Sequence, residues 1–353
     1  MFTYQASNPY RHTINHPSYL NYASRALGRS VLPSLNKKKL SLEVIAERKK
    51  EFADKYLVNV LSGTVSTYDD ATLDTVEIIP QELSQANPTE LFYQIKFRGQ
   101  KSFYENRFAD DMVDAISSSM VVVSFNYRGV GYNTQPPIIF QNLITDGIAQ
   151  VDRLLAKGIP ANHILLDGES LGGAIATMVT KYFHESSLFV YLFNSRSFAD
   201  LSEMIVNMGL SWLPKFLRSP AYPMSDTLGW NANIAETYRS IDNNYKAYCV
   251  VADKQDGISE GDGKIAHKYS LHQAVYEAEQ LTGKISGYVV FAQNVTKSGH
   301  VEPRKNLIFS EDPKENAQSI FIGLCNHMKT KSLNESDMQF EDEPAQRTTF
   351  SKI

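Results

Sequence analysis

The six residues Gly168-Glu169-Ser170-Leu171-Gly172-Gly173 constrain this chain more than any other stretch. An apolar run, His163-Ile164-Leu165-Leu166-Asp167, precedes them, and a helical pattern, Ala174-Ile175-Ala176-Thr177-Met178-Val179, follows. The flanks read as strand and helix, so the six residues must reverse the chain sharply between them. Their first five fit G-x-S-x-G, which puts Ser170 at the tip of the turn. A serine there has a strained backbone, and side chains two positions away on either side would collide with the neighbouring strand and helix. The helix that starts next leaves backbone N–H groups without acceptors, where negative charge can be held.

The rest of the chain fits around that turn. From residue 57 the pattern is of strands: Leu57–Leu61 and Thr64–Thr67, a turn at Tyr68-Asp69-Asp70, then Thr72–Ile79. Alternation follows. Strands are expected over Phe92–Phe97, Met120–Phe125, His163–Asp167, Leu188–Phe193, Ala247–Val251 and Tyr288–Ala292. Helices are expected over Glu105–Ile116, Leu143–Lys157, Ala174–His184 and Ala317–Met328. Strand–helix alternation of this kind implies an α/β class, with a mostly parallel sheet of about eight strands and helices on both faces.

Three regions stand apart. Residues 1–56 read as a partly helical N-terminal extension, with one helix over Ser41–Tyr56. Residues 200–244 interrupt the alternation with an apolar stretch that includes Trp212, Phe216 and Leu217 and is broken by Pro214 and Pro220. This is either a helical cap insertion over a site or a helical excursion packed on the sheet. Residues 332–353 form a polar, acidic tail expected to be disordered. The domain expected between extension and tail is 57–331.

Composition excludes several classes. The net charge of −4 over 353 residues gives no basic excess for a nucleic-acid backbone. The two cysteines, Cys249 and Cys325, are too few for a disulfide framework and sit in apolar surroundings. No Cys/His zinc pattern occurs, so neither metal nor cofactor is expected. The N-terminus lacks the apolar core of a secretory signal, and no apolar run approaches the ~20 residues of a membrane span. A cytoplasmic location is expected.

A serine hydroxyl needs a base, and the base needs a carboxylate to orient it. His300 lies in a small-residue turn, Ser298-Gly299-His300-Val301, after the last expected strand. Asp253 and Asp256 both follow the strand Ala247–Val251, and Asp256 is preferred. In a parallel sheet the carboxyl ends of the strands share one edge, so Ser170, Asp256 and His300 are brought together there.

Taken together, these motifs resemble those of the α/β-hydrolase superfamily, and within it the Bem46-like and ABHD-type serine hydrolases. The resemblance rests on Gly168-Glu169-Ser170-Leu171-Gly172-Gly173-Ala174, on Tyr127-Arg128-Gly129-Val130-Gly131, and on Arg98-Gly99-Gln100 where those proteins carry H-G-N. It implies the three-layer α/β-hydrolase fold, the chain order Ser…Asp…His, and an oxyanion hole made by the backbone N–H groups of Leu171 and Gln100. Arg98 departs from the usual histidine. It either alters the loop, attracts an anionic substrate group or sits on the surface. Arg128 is expected to brace its turn, Asp167 to bond beneath the elbow, and Glu169 to make a polar contact near it.

The resemblance implies a serine esterase or thioesterase, and the apolar 204–217 segment points to a small-molecule or lipid acyl substrate, with Trp212, Phe216 and Leu217 contacting the acyl chain and a peripheral contact with a membrane surface. A peptidase or amidase on the same residues, or a non-catalytic binding module, are the other readings. The tail block Glu335-Ser336-Asp337…Glu341-Asp342-Glu343 resembles the C-terminal export signals of hydrolase-like effectors of type IV secretion systems, which would place the protein in a host cell. The same composition also suits a solvating tail.

Overall fold

In the computed structural model, residues 2–5, 18–31, 42–100, 102–131, 133, 135–206, 221–249, 251–253, 265, 267–282, 290–292, 299–308, 312 and 314–338 are described. The strands are β1 (Phe2–Gln5), β2 (Val58–Ser66), β3 (Thr72–Pro80), β4 (Tyr93–Phe97), β5 (Val121–Phe125), β6 (Ile164–Glu169), β7 (Tyr191–Ser195), β8 (Lys246–Cys249), β9 (Val251–Asp253) and β10 (Val290–Ala292). The helices are α1 (Ser18–Val31), α2 (Leu42–Tyr56), α3 (Phe108–Ser118), α4 (Phe140–Ala156), α5 (Leu171–Glu185), α6 (Leu201–Met204), α7 (Ala221–Thr227), α8 (Ile234–Ser240), α9 (Leu271–Thr282) and α10 (Ala317–Met338).

The first eight strands form one sheet in the order β1-β2-β3-β5-β4-β6-β7-β8. Pairing is antiparallel from β2 to β3 and β3 to β5, and parallel from β5 through β8. β9 and β10 pair in parallel, with Asp253 opposite Ala292. The period of two along the central strands explains why the sheet is covered twice. In β6, Ile164 and Leu166 join the core beneath α4 and α5, whereas Leu165 joins a second core with Phe321, Cys325 and Met328 of α10. In β5, Val121, Val123 and Phe125 face the first core, and Val122 packs with Phe108 and Met112 of α3. Strands buried on both faces read as continuous apolar runs, as these do.

The expected strands Leu57–Leu61 and Thr64–Thr67 form a single strand, β2, paired along its length with β3. Other elements also differ from expectation: the strand expected over Ala247–Val251 divides between β8 of the main sheet and β9 of the separate pair. The N-terminal extension supplies β1, which adds to β2 in parallel from Phe2↔Gly63. Helix α10 runs on to Met338, so the expected disordered tail begins as helix through residues 332–338. In the 200–244 segment, α8 packs on α5, and Trp230 is fully buried with its Nε1 donating to Ile138 O at 2.8 Å. Ser24 Oγ of α1 lies 2.6 Å from Ile138 O and 2.7 Å from Leu228 O and can donate to either, tying the extension to the same region. Trp212, Phe216 and Leu217 lie outside the described residues. Among the described residues, no helix is long and apolar enough to cross a membrane. Cys249 and Cys325 are both buried free thiols.

Candidate active site

β6 delivers Ser170 to the carboxyl edge of the sheet, and α5 begins at the next residue. Ser170 adopts φ 55°, ψ −119°, a conformation L-residues rarely take. Two kinds of contact hold it there. Its N–H donates to Ser195 O of β7 at 2.8 Å, and its carbonyl accepts the Ala174 N–H at 3.2 Å. The flanking glycines leave no space for a side chain. A Cβ on Gly168 would lie 2.5 Å from Gly172 O and 2.6 Å from the Gly173 Cα. On Gly172 it would lie 2.0 Å from Phe97 O and 2.7 Å from Arg98 O. Both are main-chain atoms at the end of a central strand, so no rotamer change relieves the clash. Gly172→Ala is expected to destabilise the fold by about 3 kcal/mol. An unchanged urea midpoint would show that α5 can shift away from β4.

The candidate base, His300, lies beside Ser170. His300 sits in a short 3₁₀ turn, Gly299–Val301, and its Nε2 lies 2.9 Å from Ser170 Oγ. This contact spans 130 residues of chain. The ring nitrogen facing a serine hydroxyl at this distance can take its proton. Asp253 ends β9, at the carboxyl end of a strand paired with β10. Asp256 lies outside the described residues. Leu171 occupies the first turn of α5, whose N–H groups have no acceptor within the helix. The loop after β4 presses on the same point: a Cβ on Gly99 would come 3.2 Å from both the Ser170 Cβ and Glu169 O. Gln100 follows at an exposed turn. The nucleophile candidate and both oxyanion-hole candidates thus arise at the carboxyl ends of β4 and β6 in the main sheet, and the turn of His300 reaches them from beyond β10, which pairs with β9.

No protein-family model matches this chain, and no curated protein does. Among solved structures, an α/β hydrolase of Vibrio vulnificus aligns over 84% of this chain and 93% of its own, with 12% identity and a TM-score of 0.55. The chain has the α/β-hydrolase fold. An esterase of Pyrococcus furiosus (16% identity, 73% of this chain, 87% of that chain, TM-score 0.49) is also similar. So is a hyperthermophilic esterase of the archaeon Pyrobaculum calidifontis (13% identity, 90% and 99%, TM-score 0.49).

Beneath the elbow of this α/β-hydrolase fold lies a group of buried charges. Asp167 accepts from Gln94 Nε2 at 2.6 Å, Lys96 Nζ at 2.6 Å and Arg304 Nη1 at 3.0 Å. Asp114 of α3 is bound by the same Lys96 and by Arg304 Nη2 at 2.5 Å. Burial alone would raise both carboxyls, but Arg304 and Lys96 more than offset it and hold both below the ordinary aspartate value. Glu169 is likewise held below the usual glutamate value. Desolvation pushes it up, and the positive charges of Arg196 and Arg107 bring it down.

Arg98 is not on the surface. It is 6% exposed and ion-paired with Asp111, which also accepts from Ser124 Oγ at 2.7 Å. Its guanidinium is bound to a buried carboxylate and supports the loop from below, while the residue also borders the cleft beside the elbow. Arg128 is buried too and binds Asp69 and Asp146 on either side of its turn. A cleft of about 280 Å³ adjoins the elbow, bordered by Phe97, Val113, Glu169, Arg196, Arg304 and Lys305, but not by Ser170. Lys96, Asp114, Arg196 and Arg304 are the participants that sequence reasoning missed. One signal was present: Gln94 and Lys96 alternate with apolar residues in a central strand and Arg98 continues the alternation just past its end, and buried polar groups require partners.

Proposed function

We propose that this protein is a serine hydrolase that cleaves carboxylic esters through an acyl-enzyme. The observation that carries this reading is the 2.9 Å contact between His300 Nε2 and Ser170 Oγ, with Ser170 held in a strained turn at the start of α5. His300 takes the hydroxyl proton as Oγ attacks the acyl carbonyl. The carbonyl oxygen, now negative, is held by the N–H groups of Leu171 and Gln100. His300 then gives its proton to the leaving alcohol, and a water activated by the same imidazole releases the acid. Asp256 supplies the carboxylate that orients His300 in this scheme, with Asp253 as the alternative.

The substrate class follows from the 204–217 segment, whose Trp212, Phe216 and Leu217 suit an acyl chain; thioesters and lipids belong to the same proposal. A panel of p-nitrophenyl esters of increasing chain length, a matched thioester and a matched anilide tests it. Ester or thioester turnover is expected, with kcat/KM rising from acetyl to a longer acyl group by about tenfold, the value of one to two buried methylenes. Turnover of the anilide alone would replace this reading with an amidase. Turnover of none would leave the scaffold as a binding module.

A further inference from the structure

Arg196 is the first residue after β7, and its backbone, like that of Ser170, lies at positive φ (53°). It is buried, at 3% exposure, and its N–H donates to Cys249 O of β8 at 2.7 Å. The strained backbone and this bond fix where its guanidinium points. Nη1 donates to two main-chain carbonyls, Gly299 O at 3.1 Å and Glu302 O at 2.6 Å. Those two residues bracket His300. Nη2 lies 3.1 Å from Glu169 Oε1, and Glu169 immediately precedes Ser170. Arg107 approaches the other oxygen of Glu169 at 3.8 Å. One side chain therefore joins the turn bearing His300 to the turn bearing Ser170.

We propose that Arg196 is a positioning residue: it clamps the His300 turn onto the elbow through Glu169 and thereby sets the contact between His300 and Ser170. The inference rests on the hydrolase reading for its catalytic consequence, and on geometry alone for the clamp. Arginine suits the task for two reasons. Its planar fork reaches carbonyls on one side and a carboxylate on the other, which a lysine ammonium, a single point of charge, cannot do at once. Its several N–H donors also let one side chain serve both carbonyls and the carboxylate. The four-residue span from Gly299 to Glu302 is then held at both ends, independently of the strand that leads to it.

Arg196→Lys tests the clamp, with amide hydrogen exchange of the segment 299–308 followed by mass spectrometry and ester kinetics on the same preparations. Faster exchange in that segment is expected, with kcat lower by about 10- to 100-fold, the usual cost of misplacing a reacting group by an ångström. KM should stay within a factor of about two, because the clamp touches no substrate. Glu169→Gln removes the charge from the other end of the clamp, on a partly exposed side chain, and should give the same pattern more weakly; it serves if Arg196→Lys does not fold. Wild-type exchange in 299–308, or a fall in activity that only matches a smaller folded fraction, would overturn the proposal. Should the wild type turn over no ester at all, the hydrolase reading fails, and the exchange measurement still decides whether Arg196 holds this turn.

Discussion

Replacing Ser170 by alanine is expected to lower kcat/KM for esters by ~10⁴-fold or more and to abolish labelling by a fluorophosphonate probe. The size of the effect follows from what is removed. The hydroxyl is the atom that would bond to the acyl carbon, and it sits 2.9 Å from the nitrogen that would take its proton. The fold should hardly respond. The position of residue 170 is set by its N–H on Ser195 O and by the close approaches of Gly168 and Gly172, and the side chain contributes to neither. The thermal midpoint of the variant should therefore stay within a few degrees of wild type. A variant labelled at the wild-type rate would show that some other side chain is the nucleophile. The same assay identifies the acid: the large loss should fall on Asp256→Asn if that carboxylate orients His300, and on Asp253→Asn if its neighbour does.

The elbow was legible because its constraints are local. A strand, a turn with glycines at fixed offsets and a helix all fall within about twenty residues, and the collisions that demand Gly168 and Gly172 come from that segment and the strand beside it. The nearness of His300 to Ser170 was legible from its small-residue turn after the last expected strand, although that strand, β10, pairs with β9 and is not one of the eight strands of the main sheet. Asp167 was expected to bond beneath the elbow and Arg128 to brace its turn, and both do, but the partners of the buried charges were not legible. Nothing near Arg304 in the chain announces Asp167, 137 residues earlier, and nothing near Arg98 distinguishes a surface arginine from one paired with Asp111. Their meaning is decided by which element packs behind β4. The same limit hid β1, four residues whose only reason to be a strand is the free edge of β2. The extension of α10 to Met338 reflects cooperativity. Residues 332–338 are too polar to start a helix, but adding a turn to an existing one has no nucleation cost.

Arg304→Met is expected to destabilise the fold by about 3–5 kcal/mol, the usual consequence of leaving buried charges without their partner. Arg304 serves Asp114 and Asp167 together, and its guanidinium also lies 4.1 Å from the centre of the Phe321 ring. Methionine retains much of the apolar contact but leaves Lys96 alone between two carboxylates. The pH dependence separates charge from packing. Both aspartates lie below their unfolded value of about 3.9. Their contribution is thus fully present above that value and is lost as pH falls through the lower folded values. The gap in stability between wild type and Arg304→Met should be largest near neutrality and shrink below about pH 4, because protonated carboxyls no longer need a cation. A gap that stays constant from pH 7 to pH 3 would assign the whole effect to lost packing against Phe321. Adding Asp114→Asn to Arg304→Met should recover part of the loss, since it removes one of the two charges that Lys96 cannot satisfy alone. Because Asp167 is also the residue before Gly168, the double variant should recover ester turnover along with stability. Stability restored without turnover would mean that Arg304 places the His300 turn directly, four residues along the chain, and not only through the fold.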